Sequence, residues 1–76
     1  DELDEPGAPP LRARLEALLL VVDQPTAEGA LAAAAGSTPA EVAAELRAWR
    51  DDLTRVGSGI DLRRTDEGWR LYTRRE

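Results

Sequence analysis

Ser58 in "GSGI", the acidic run "DELDE" at residues 1–5, and the arginines scattered through residues 60–76 are the side chains with which this chain could do chemistry. They correspond to three different chemistries: acyl transfer at a serine, metal binding by carboxylates, and recognition of anions by guanidinium groups. The first fails for want of a base. The sequence holds no histidine, lysine or cysteine, so it lacks the usual general bases for work near neutral pH and any thiolate nucleophile. "GSGI" also lacks the strand-to-helix setting of a nucleophile elbow and reads as a helix stop followed by a turn. "DELDE" has neither the glycine nor the spacing of a calcium loop and reads as solvated charge. No phosphate-cradling glycine loop is present. The chain is expected to be no enzyme, to use no cofactor or metal, and to act by binding.

What it binds depends on where the charges sit. The net charge is -5, but residues 1–10, "DELDEPGAPP", contain four acids, no base and three of the five prolines. Such a segment buries too little apolar surface to offset its ordering entropy, and is expected to be a disordered tail. Residues 11–76 then carry ten arginines against eleven acids, close to neutral. At 76 residues there is room for one small domain. No apolar run approaches the ~18 residues of a membrane span, and no secretory signal pattern is visible. The absence of cysteine fits a reducing cytoplasm. Because the chain opens on Asp1 rather than methionine, it is expected to be part of something longer.

The elements that would position these charges are legible from periodicity. "LRARLEALLLVV", Leu11 to Val22, predicts a first helix with Leu11, Leu15, Leu18, Leu19 and Val22 on one apolar stripe. Ala13, Ala17, Leu20 and Val21 form a second stripe beside it. Either this helix is central to a three-helix core, or Leu20 and Val21 meet another subunit. After "DQPT", with Thr26 as the expected cap, "AEGALAAAA" predicts a short second helix from Ala27 to Ala35, stopped by Gly36. Gly29 stands where a capping box would want Glu or Gln.

The third helix has the clearest signals: Thr38 as cap, Pro39 at the first position, and Glu41 completing Thr-x-x-Glu. Val42, Leu46, Trp49, Leu53 and Val56 form its stripe over about 18 residues, or ~27 Å. Alternation in residues 60–64 and 69–74 around "TDEG" predicts a hairpin. In its register Leu62 faces Leu71 and Ile60 faces Thr73 on the inner face, while Asp61 faces Tyr72 and Arg63 faces Arg70 on the outer face. Three helices followed by a two-stranded wing make a small α+β winged helix-turn-helix domain over residues 11–76.

In that fold the third helix is the one that enters DNA, with its N-terminal residues at base edges and arginines on phosphates. Here its first charges are Glu41 and Glu45, and residues 38–56 carry three arginines against four acids. This helix is not built for a major groove, and no sequence-specific DNA binding is expected. The wing is the region that could grip an anion, through Arg63, Arg70, Tyr72 and Arg74. Directly opposed Arg63 and Arg70 are unfavourable unless something negative lies between them: an intramolecular acid such as Asp61, a partner's carboxylate, or a phosphate. Tyr72 suits a protein contact.

These residues resemble a known family. "LEALLLVVDQP", "GSGIDLR" leading into the wing, and "GWRLYT" are similar to the N-terminal winged-helix domain of segregation and condensation protein B, over residues 11–75. "LAAAA" and Gly29 depart from the charged, leucine-richer second helix expected of that family. The resemblance implies a non-catalytic subunit of a bacterial SMC–kleisin, condensin-like complex that acts in chromosome segregation and condensation. It implies a homodimer, a kleisin partner (segregation and condensation protein A) bridging the heads of an SMC ATPase, and a cytoplasmic, nucleoid-associated location. It also implies that this is the first of two winged-helix domains, with self-association its main task. On this reading Ala13, Ala17, Leu20 and Val21 are dimer-interface candidates, and Arg63, Arg70, Tyr72 and Arg74 are candidates for a partner-binding wing. The alternative is a winged-helix transcription regulator that holds the DNA backbone through its wing.

Overall fold

The computed structural model describes residues 9–73 of the chain; the expected tail up to residue 8, and Arg74, lie outside them. Three helices precede a two-stranded antiparallel hairpin: α1 (Leu11–Val21), α2 (Glu28–Ala35), α3 (Pro39–Arg55), β1 (Ile60–Thr65) and β2 (Gly68–Thr73). This is the expected α+β winged helix.

Each boundary has a local cause. α1 follows Pro10, whose extended backbone and carbonyl start the helix by accepting the Arg14 N–H at 3.1 Å. α2 stops at Gly36, which takes the left-handed φ of 72° that glycine adopts without steric cost. Thr38 caps α3 by accepting the Glu41 N–H at 3.2 Å. The Glu41 carboxylate does not complete the expected capping box; it accepts a hydrogen bond from the Ser37 hydroxyl at 2.7 Å instead.

Thr26 is not the cap of α2. Ala27 holds that position and offers no side-chain hydrogen bond. Thr26 instead exchanges two backbone hydrogen bonds with Trp69, both 2.9 Å, and becomes a one-residue third strand beside β2. Two backbone bonds at the edge of a buried tryptophan outweigh the single bond a cap would supply.

The close approach explains Gly68. A Cβ at that position would lie 2.2 Å from the Thr26 carbonyl carbon and 2.3 Å from its oxygen, and the backbone there has φ of 140°. Only glycine fits both conditions.

The hairpin register is the expected one, with Leu62 opposite Leu71 and Arg63 opposite Arg70. The core gathers Leu15 and Leu19 of α1, Leu31 of α2, Val42, Leu46 and Trp49 of α3, and Leu62 and Trp69 of the hairpin. Trp69 is fully buried, and its indole N–H donates to Glu28 Oε2 at 2.8 Å, so the buried donor is satisfied. Three expected inward positions turn out exposed, among them Thr73 at the end of β2. α3 ends at Arg55, one residue before Val56, which leaves the stripe and is 67% exposed, and Ile60 at the open end of the hairpin is 39% exposed.

Candidate functional site

The first candidate surface is the outward face of α1. At 100° per residue, Leu11, Leu15, Leu18 and Leu19 fall on one side of the helix, and Ala13, Ala17, Leu20 and Val21 on the other. The structure buries Leu15 and Leu19 and packs Leu11, Leu18 and Val22 partly against the core. On the opposite side Ala13 is half-buried and Ala17 exposed, while Leu20 and Val21 are 63% and 80% exposed. Exposed apolar side chains are common singly. Two large ones side by side, continued by Ala17, form an apolar strip that this domain does not cover.

Between α1 and α3 lies a charged strut that periodicity alone does not show. Arg12 donates from Nε to Glu45 Oε2 and from Nη1 to Asp52 Oδ2, each at 2.6 Å, and Arg55 donates to the other Asp52 oxygen at 2.6 Å. Hydrogen bonds from Arg12, and next from Arg55, hold the Asp52 carboxyl below its ordinary pKa. This changes the expected role of the α3 acids. Glu45 and Asp52 brace α1 through Arg12. The exposed face of α3 keeps Glu41, Arg47, Asp51 and Arg55, two acids against two bases, among Ala40, Ala44 and Ala48. Such a balanced face still lacks the cationic surplus that phosphate binding needs. The one clue to the strut in the sequence is Arg12's place on the wheel, at the edge of the buried stripe.

The second candidate surface is the outer face of the hairpin. Arg63 and Arg70 are directly opposed, as expected, and the Tyr72 ring accounts for their closeness. The Arg63 Cζ lies 5.1 Å and the Arg70 Cζ 5.3 Å from its centroid, so both guanidinium groups sit against the ring's π electrons. Arg63 Nε also donates to Asp61 Oδ2 at 2.9 Å, so an intramolecular acid serves Arg63. Arg70 has no carboxylate within ion-pair distance among the described residues. Asp66 and Glu67, at the tip of the wing, are exposed.

An open cleft of about 350 Å³ separates the start of α2 from the hairpin turn, lined by Glu28, Arg64, Asp66 and Glu67 among others. Glu28 is already engaged there by the Trp69 indole and by Arg64 Nε at 3.4 Å. Among the described residues no group of three or more acids could hold a metal ion, and no helix is long and apolar enough to cross a membrane.

Comparison with known proteins shows the family and the fold. The sequence profile of the family described as segregation and condensation complex subunit ScpB matches residues 13–76. The crystal structure of ScpB from Mycobacterium tuberculosis superimposes with a TM-score of 0.82 at 53% sequence identity, covering 97% of this chain and 44% of that one. The chain therefore spans less than half the length of that relative. No curated protein matches the chain significantly.

Proposed function

We propose, given that the chain belongs to the family of segregation and condensation complex subunit ScpB, that it is a self-associating, protein-binding module of a bacterial chromosome segregation and condensation complex. The observation that carries this reading is the family match across nearly the whole described domain. Two copies meet through the outward face of α1, where Ala13 and Ala17 allow close approach and Leu20 and Val21 supply apolar area. Each large side chain fully covered there stabilises the pair by on the order of 1.5–3 kcal/mol before association costs. In the longer protein this is the first of two winged-helix domains. Its partner is the kleisin subunit, segregation and condensation protein A, and through it an SMC ATPase in the bacterial cytoplasm. The module itself contributes binding and no catalysis.

The DNA-binding alternative is disfavoured by the same surfaces. The exposed face of α3 is charge-balanced, and Asp66 and Glu67 stand at the wing tip, where a duplex would bring phosphates. Affinity capture of the full-length protein, with mass identification of what accompanies it, tests the assignment. A kleisin and an SMC ATPase are expected. Recovery without either, together with a salt-sensitive shift of duplex DNA that is lost on Arg63→Ala/Arg70→Ala, would overturn it.

A further inference from the structure

The edge of β2 remains open beyond Trp69. Trp69 turns its backbone N–H and C=O away from β1, since both bond Thr26. Backbone direction alternates along a strand, so Leu71, two residues on, points its N–H and C=O to that same outer edge. Thr26 covers only Trp69. The chain before it bends at Gln24, whose carbonyl accepts the Thr26 hydroxyl at 3.2 Å, and Pro25 has no N–H to offer. Among the described residues nothing hydrogen-bonds the outward backbone of Leu71. Open edges of this kind accept added strands.

The side chains beside that edge state what the added strand should carry. Arg70 and Tyr72 flank Leu71 on the outer face, and Arg70 rests on the Tyr72 ring with no carboxylate partner among the described residues. Stacking on the ring holds the guanidinium in place and leaves its N–H fork to be used. A residue on the added strand next to Arg70 would meet that fork at cross-strand distance. A carboxylate there would form a charge-assisted, two-pronged bond.

We propose that the open edge of β2 at Leu71, beside the Arg63–Tyr72–Arg70 stack, takes up an extended acidic segment of a partner protein as an added strand. The inference rests on the protein-binding reading of the module but uses a surface other than α1. A polypeptide is favoured over nucleic acid because only a polypeptide satisfies the Leu71 backbone by strand pairing. A peptide can also lie along mid-strand without meeting Asp66 and Glu67 at the tip.

The test uses a synthetic decapeptide of alternating glutamate and valine, added to the intact chain and followed by amide NMR. The expected result is saturable binding that shifts the Leu71 and Thr73 amides and slows their hydrogen exchange. Arg70→Ala should weaken it roughly tenfold, and N-methylation of alternate peptide nitrogens should abolish it. A lysine-for-glutamate peptide should not bind. No binding by the acidic peptide, or binding indifferent to N-methylation, overturns strand addition without touching the α1 assignment. The oligomeric state, measured separately, reports on that assignment. Stronger binding of duplex DNA than of the peptide, shifting the same amides, would overturn the choice of partner.

Discussion

The junction of Gly68, Thr26 and Trp69 and the outward face of α1 are opposite cases within one small domain. At the junction every group is matched: two backbone bonds at 2.9 Å, a buried indole N–H on Glu28, and no room for even a methyl group at Gly68. On α1, Leu20 and Val21 stand 63% and 80% exposed with nothing of the same domain over them. The first region is where the fold is completed. The second is apolar area that this domain leaves uncovered. The proposed self-association would use that area.

The contrast can be tested from the strong side first. Gly68→Ala drives a methyl group into the Thr26 backbone at 2.2 Å and strains a φ of 140°. It should cost about 3 kcal/mol or more, read as a fall in the urea midpoint followed by tryptophan fluorescence. A loss below about 1 kcal/mol would mean the junction is looser than described.

Arg12→Ala comes next. It removes the 2.6 Å bonds from Arg12 to Glu45 and Asp52, leaving Asp52 with Arg55 alone, and should lower the melting temperature by roughly 5 °C near pH 7. The pH dependence follows from the depressed Asp52 pKa. A carboxyl held below its unfolded value adds stability that is fully present above about pH 4 and is lost as pH falls through the folded value. The gap between wild type and Arg12→Ala should therefore close on acidification below about pH 4. A gap that persists unchanged at pH 2 would assign the effect to packing of the arginine stem. The smallest effect on stability belongs to Leu20→Glu, expected within about 0.5 kcal/mol for the monomer because the site is exposed.

Much of this architecture is written in local patterns. Thr38, Pro39 and Glu41 announce α3, and the alternation around "TDEG" sets the hairpin register, because both signals act within a few residues. What escaped is non-local. Thr26 looks like a cap from its neighbours alone; the partner that draws it away, Trp69, lies 43 residues further on. Arg12 finds its carboxylates 33 and 40 residues away, so no helical spacing marks them. Val56 continues the α3 stripe by period but falls just past the last helical residue. The exposure of Leu20 and Val21 and the pairing of Arg63 with Arg70 also follow from local periodicity. The strand edge at Leu71 becomes visible only once Thr26 is seen to stop short of it.

Sedimentation equilibrium measures directly whether the outward face of α1 joins two copies of this chain, as proposed. The wild-type chain should sediment as a concentration-dependent dimer in the micromolar range, and Leu20→Glu as a monomer with an unchanged circular dichroism spectrum. A wild-type chain that stays monomeric at the highest concentration reached, or a dimer that survives both Leu20→Glu and Val21→Glu, would contradict it.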